Sequence, residues 1–319
     1  MKKTISIICA LALILALGTA AFAAPANDSY VVGICQLVQH AALDAATEGF
    51  KAALTDKLGD SVEFLEQNAS GDSATCNIIC NQFVSEEVDL IMANATPALL
   101  AASSATNQIP ILGTSVTDYG SALAIDDWTG ATGTNISGTS DLAPLDGQAA
   151  MLNELFPEAK NVGILYCSSE PNSKFQADTI TPMLEELGYT VTSYTFADSN
   201  DVAAVTSNAC DDVDVIYIPT DNTAASCTEA INNVAIVAGT PIIAGEEGIC
   251  SGCGVATLSI SYYDLGYATG EMAAEILVDG ADVSTMEVRY APTFTKKFNA
   301  SICDTLSIEI PEDYIAIGE

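Results

Sequence analysis

Asp89-Leu-Ile-Met-Ala-Asn-Ala-Thr96 and Asp214-Val-Ile-Tyr-Ile-Pro-Thr-Asp221 follow one pattern: an acid, an apolar run of strand length, and a polar residue where the run ends. One unit later, Ile109-Pro-Ile-Leu-Gly-Thr-Ser115 is matched by Thr240-Pro-Ile-Ile-Ala-Gly-Glu246. Thr96 therefore corresponds to Asp221, and Ser115 to Glu246. The repeat extends in both directions. Strand-like runs at Tyr30 to Ile34, Val62 to Leu65, Asp89 to Ala93 and Pro110 to Gly113 alternate with helical stretches near Leu43 to Leu58, Ala74 to Ser85 and Pro97 to Asn107. The series restarts with strands at Val162 to Tyr166, Thr190 to Tyr194, Val213 to Ile218 and Pro241 to Ala244. Helices near Lys174 to Gly188, Asp201 to Asn208 and Thr223 to Val237 fill its gaps. Short apolar strands alternating with amphipathic helices specify a parallel sheet. The fold class is therefore α/β, with two Rossmann-like lobes, and ligands in such sheets sit beyond the carboxyl ends of the strands.

Between the repeats, Gly130 to Asp141 is rich in Gly, Ser and Thr, has no helical period, and reads as a first interlobe crossing. After the second repeat come a strand-like Val255 to Ser261, a helix from Tyr263 to Asp279, a run from Glu287 to Tyr290 and an irregular tail. These surplus elements imply that the chain crosses back, making a multi-crossing hinge. The expected division is a first lobe of residues 28–138 plus 262–284 and a second of 139–261 plus 285–319.

Residues 1–24 read as an export signal. Lys2 and Lys3 form a positive start, Ile5 to Leu17 an apolar run, and Ala21-Phe-Ala23 a cleavage site. A membrane span wants ~18 or more apolar residues, and this run is shorter. The cysteine within it, Cys9, does not follow the run, so the sequence offers no attachment point for a lipid. The chain is thus expected on the outer side of the cell membrane. Its formal charge is -33, with Arg289 the single arginine. That balance makes nucleic acid and anionic lipid poor partners. Nine cysteines remain after the signal, an odd number. Cys250-Ser-Gly-Cys253 reads as a structural loop, and Cys76 and Cys80 lie one helical turn apart. With His40 the single histidine and no converging ligand set, neither a metal nor a cofactor is expected. Nucleophilic catalysis has no G-x-S-x-G to rest on, and adjacent acids such as Glu246-Glu247 point apart at a strand end, so no catalytic residue is assigned.

Several segments, in order, resemble the tryptophan/tyrosine-type substrate-binding proteins of ABC transporters. They are Gly33 to Phe50 with its Gln39-His-Ala-Ala-Leu-Asp44, Asn94-Ala-Thr-Pro97, Gly113-Thr-Ser-Val-Thr-Asp118, Tyr217-Ile-Pro-Thr-Asp-Asn222, Gly245-Glu-Glu-Gly248 and Ala256 to Gly270. Relatives tend to have Glu-His-Pro-Ala-Leu-Asp where this chain has Gln39 to Asp44. The resemblance implies a type I periplasmic-binding fold that closes over a small solute and delivers it to permease subunits. A sensor module for a membrane receptor and a sugar or nucleoside binder share that fold.

An aromatic amino acid would need donors for its carboxylate, an acid for its ammonium and an aromatic wall. Thr96, before Pro97, is expected to cap a helix whose free N–H groups favour an anion, with Thr114 or Ser115 adding a hydroxyl. Asp221, with Asn222 beside it, and Glu246 are expected to receive the ammonium. Ser168, Ser169 and Asn172 in the Tyr166–Ser173 loop, and Gln36 in the matching first-lobe turn, are further expected ligand contacts. Gln39 and His40 share that turn, where a lone histidine is more readily a capping or exposed residue. Tyr262 and Tyr263 could supply the aromatic wall or simply pack.

Overall fold

The structure, a computed structural model, describes residues 29–318. The export signal expected over residues 1–24 lies outside the described residues. The first repeat contains β1 (Tyr30–Gln36), α1 (Ala41–Leu58), β2 (Val62–Asn68), α2 (Ser73–Ser85), β3 (Leu90–Asn94), α3 (Thr96–Ala105), β4 (Ile111–Val116), the short α4 (Tyr119–Ala122) and β5 (Ile136–Ser140). The second contains α5 (Leu145–Leu155), β6 (Asn161–Cys167), α6 (Pro171–Glu186), β7 (Thr190–Phe196), α7 (Val202–Asp212), β8 (Val215–Ile218), α8 (Asn222–Ser226), α9 (Thr228–Ala238), β9 (Ile242–Ala244), α10 (Glu247–Cys253) and β10 (Ala256–Ser259). The chain closes with α11 (Tyr262–Leu277), β11 (Arg289–Tyr290), β12 (Thr295–Phe298), α12 (Ala300–Leu306) and β13 (Ile315–Ala316).

Two sheets result, ordered β11-β5-β4-β3-β1-β2 and β13-β12-β10-β9-β8-β6-β7. All pairings are parallel except β10 with β12. The central strands β3, β4 and β8 are buried along their whole length. A parallel strand covered by helices on both faces is apolar throughout rather than alternating. The helix α11 returns to the first lobe and lies on α1. Gly49 and Gly266 let the two backbones meet there, because a Cβ at either position would strike the facing helix's carbonyl oxygen.

The boundaries differ from the expected ones at two places. β5 carries the first sheet through Ser140, past the crossing expected after residue 138. Arg289 and Tyr290 pair in parallel with Thr139 and Ser140, so the chain leaving α11 runs along the edge of the first sheet before it crosses. The crossings thus fall after β5, after β10 and after β11. Cys250 and Cys253 differ too. They lie in helix α10 rather than a loop, both are buried, and burial pushes the Cys250 thiol well above its ordinary value. Such a thiol is inert as a nucleophile.

Candidate functional site

The carboxyl ends of the two sheets face one another, and side chains from both meet in the gap. His40, at the start of α1, places Nε2 3.3 Å from Asn222 Oδ1 at the start of α8. Beside this contact lies a cavity of about 240 Å3, lined from the first lobe by Leu37, Val38 and Pro97 and from the second by Ser169, Glu170 and Asn222, among others. Its size is near the lower end of small-molecule sites, which run from ~300 to 1,000 Å3. A second interlobe cavity, of about 330 Å3, is lined by Ala42, Ala45, Glu246, Ile260, Tyr262 and Tyr263, among others.

In the first lobe, the ends of β3 and β4 carry two non-glycine residues in left-handed backbone conformations, Ala95 (φ 94°) and Ser115 (φ 54°). The strands are neighbours, with Asn94 opposite Thr114, and the register between β4 and β5 slips between Gly113 and Val116. A bulge re-aims side chains, and strained φ values persist where the surroundings over-determine them, commonly at ligand sites. Here Ser115 Oγ is buried with no hydrogen-bond partner, and so is Thr96 Oγ1. Thr96 was expected as a cap. It is instead the first residue of α3, with Ala95 in the cap position, and its hydroxyl caps nothing. The first turn of α3 has Pro97, which lacks an N–H, and N–H groups of Thr96 and Ala98 with no helix carbonyl ahead of them.

The expected acids have other tasks. Asp221 is buried at the N-cap of α8; Oδ1 accepts from Ala224 N at 2.7 Å and Oδ2 from Cys167 N at 2.7 Å. Glu246 caps α10, accepting from the Gly248 and Ile249 N–H groups. Each thus accepts at both oxygens from backbone donors of its own lobe. Burial, with the Glu170 charge added, pushes the Asp221 carboxyl up to about 8. Burial pushes Glu246 up to about 7. Gln36 is likewise consumed internally, donating to Val38 O and Asp44 Oδ1 and accepting from Thr47. Thr114 Oγ1 lies 3.2 Å from Thr139 Oγ1 in the first-lobe interior. Ser168 and Ser169 are exposed and donate to the Phe196 and Ala197 carbonyls, although Ser169 also lines the smaller cavity.

The residue that organises the second-lobe face is one the sequence reading passed over. Glu170, buried at the N-cap of α6, accepts from Asn222 N and Nδ2 at 3.0 and 2.7 Å and from Thr223 N and Oγ1 at 2.8 and 2.7 Å. Asn172 Nδ2 adds a bond at 3.2 Å. Its signal was an acid directly before Pro171, the cap position of a helix beginning with proline. Asp141, past the end of β5, was also missed. It accepts from Thr117 Oγ1 and from the Tyr262 hydroxyl at 2.9 Å, and burial raises its carboxyl. Tyr262 is thus tied to the hinge, whereas Tyr263 is partly exposed and packs on Tyr267. Among the described residues, the ion pairs use Lys51, Lys174, Arg289, Lys296 and Lys297. None reaches Asp141, Glu170, Asp221 or Glu246.

Residues 31–317 match the family of ABC transporter substrate binding proteins. The chain belongs to that family. It is 39% identical, over 81% of its length and 75% of the relative's, to a tyrosine-binding protein of Clostridioides difficile. Among solved structures it resembles a Streptococcus pneumoniae protein in complex with L-Trp, at 31% identity, TM-score 0.85, and coverage of 89% of this chain and 96% of that one. A ligand-free, open substrate-binding protein with adhesive properties from Clostridium difficile is 37% identical, over 90% of this chain and 99% of that one, yet has a TM-score of 0.68. The lower score against the more identical protein, together with the His40–Asn222 contact, places the two lobes nearer the arrangement of the tryptophan complex. The type I periplasmic-binding fold also appears in a myo-inositol-bound protein of Bacillus halodurans, at 15% identity.

Proposed function

We propose that this substrate-binding protein captures an aromatic amino acid between its lobes outside the cytoplasm, delivers it to a permease, and performs no chemistry on it. One observation carries the reading. Thr96 Oγ1, Ser115 Oγ, His40 Nδ1 and Asn172 Oδ1 are buried polar atoms without partners, contributed by both lobes at strand and helix ends facing one gap. Buried polar groups are ordinarily paired, because leaving one unpaired costs ~1–3 kcal/mol. A polar ligand that bridges the lobes would satisfy all four. The Thr96 and Ser115 hydroxyls and the α3 N-terminus suit a carboxylate. Glu170, which no lysine or arginine pairs with among the described residues, supplies negative potential for an ammonium. The larger cavity, with Ile260, Tyr262, Tyr263 and an alanine wall, offers room for an aromatic ring.

The aromatic assignment draws on the two relatives, one named for tyrosine and the other solved with L-Trp, and the negative cleft agrees with it. Calorimetric titration of ligand-stripped protein with the twenty amino acids, ribose and a nucleoside tests it. Binding confined to tryptophan, tyrosine or phenylalanine is the expected outcome. A response to ribose or nucleoside with none to amino acids would overturn it.

A further inference from the structure

Resting on that reading, the geometry points to His40 and Asn172 as the pair that receives the ligand's ammonium, one from each lobe, with Glu170 and Asn222 as the residues that position them.

The hydrogen-bond directions follow from Glu170. A carboxylate only accepts, so the Asn222 side chain must turn its NH2 toward Glu170 Oε2, 2.7 Å away. Its carbonyl Oδ1 then faces His40 Nε2. A carbonyl cannot donate, so Nε2 carries the imidazole proton. In the neutral ring Nδ1 is then a bare acceptor, and it is buried with nothing donating to it. Asn172 is oriented in the same way. Its Nδ2 lies near two groups that only accept, Glu170 Oε2 at 3.2 Å and Thr220 O at 3.1 Å. Its Oδ1 is therefore the free end, again buried and without a partner.

The two bare acceptors, one from each lobe, belong to side chains of one network, backed by a carboxylate that no described lysine or arginine neutralises. That set repels a ligand carboxylate and suits a group that donates several hydrogen bonds and carries positive charge. Glu170, whose oxygens are filled by five donors, acts through field and orientation rather than contact. Because His40 belongs to the first lobe and Asn172 to the second, a donor held by both is satisfied in the closed arrangement alone, which makes closure depend on the ligand.

The imidazole must be neutral for this role. Burial lowers the His40 pKa, and the carboxylates facing it, Glu170 across the gap and Asp44 on its own helix, oppose that shift without reversing it. Protonation would put a second donor and a positive charge where the ammonium sits.

The test compares L-tyrosine with 3-(4-hydroxyphenyl)propionate, which lacks the ammonium alone, by calorimetry on the full mature chain. His40→Ala and Asn172→Ala, each confirmed folded by circular dichroism, are expected to weaken L-tyrosine by about tenfold or more while leaving the analogue within about twofold. Equal losses for both compounds, or no loss for L-tyrosine, would overturn the assignment while leaving the functional reading intact. Failure of the wild type to bind any aromatic amino acid would overturn both. Imidazole nitrogen NMR of the wild type gives a readout that needs no variant. Nδ1 should be the unprotonated nitrogen and should shift when L-tyrosine is added; a proton on Nδ1 in the free protein would refute the proposal.

Discussion

Replacing Glu170 with alanine tests how the second-lobe face of the cleft is built. The carboxylate accepts five hydrogen bonds, two of them from the backbone N–H groups of Asn222 and Thr223. Those N–H groups belong to the first turn of α8, which has no carbonyl of its own to offer them. Leaving each unpaired costs ~1–3 kcal/mol. Freed side chains of Asn172, Asn222 and Thr223 can turn to water that fills the space. Removing a buried carboxylate with no cation beside it also relieves a desolvation cost that works in the opposite direction. The net loss should be about 2–4 kcal/mol. For a unit of 150–250 residues each kcal/mol moves Tm by ~2–4 °C, so the ligand-free variant should melt roughly 5–15 °C lower. Differential scanning calorimetry, which separates a second-lobe transition from a first-lobe one, is the assay. Glu170→Gln, which keeps one acceptor, should fall between. A shift of less than about 2 °C in Glu170→Ala, or one confined to the first lobe, would refute the claim that this carboxylate holds the α8 N-terminus.

Ligand-free stability should fall as pH rises. Asp221 and Glu246 keep their protons in the folded chain up to about 8 and about 7, against 3.8 and 4.5 for the free groups. The folded state therefore binds more protons in between, and this contribution, complete below about pH 4, is lost by about pH 8. Urea midpoints should be higher near pH 5.5 than near pH 8.5, to order of magnitude ~1 kcal/mol or more, and Asp221→Asn with Glu246→Gln should flatten the difference; an unchanged slope assigns it elsewhere. Ser115→Gly should relieve a left-handed φ worth ~1 kcal/mol while removing a ligand hydroxyl, so Tm rises and affinity drops. A variant that loses both, or neither, contradicts the role given to Ser115. Gly266→Ala should cost the first lobe ~2 kcal/mol or more by forcing α11 off α1, read as a lower first-lobe transition with the second unchanged.

The two-lobed α/β plan was legible because it rests on local periodicity. Runs such as Leu90 to Ala93 are apolar throughout, and duplication made each half a check on the other. The strand ends were legible for the same reason, which is why Thr96, Ser115, Asp221 and Glu246 all lie at or just past the ends of strands. Their tasks were less visible. Whether a strand-end acid serves ligand or backbone depends on where the next helix begins. Asp221 and Glu246 are each followed at once by a short helix whose N–H groups claim one oxygen of Asp221 and both of Glu246. The His40–Asn222 contact spans 182 positions, and no local pattern announces a pairing of that kind. Glu170 was hidden because four of its five donors belong to Asn222 and Thr223, some fifty residues away.

The cleft's charge and its closure are connected. Four buried carboxylates face or flank the gap, and three of them, Glu170, Asp221 and Glu246, lie at helix N-termini, where the macrodipole eases their burial by ~0.3–1 kcal/mol each. No described lysine or arginine pairs with Glu170, so the cation beside it is one that a ligand brings. The protein's own interlobe bond, His40 to Asn222, is a neutral one at 3.3 Å. A bond of that kind contributes ~1 kcal/mol, about a fivefold bias. Driving a two-state equilibrium from 1:99 to 99:1 takes ~5.5 kcal/mol. The His40–Asn222 bond therefore aligns the lobes but cannot hold them shut. A ligand that engages Thr96, Ser115 and His40 on one lobe and Asn172 on the other supplies a further bias toward closure. A permease that recognised the closed form would then be presented mainly with loaded protein.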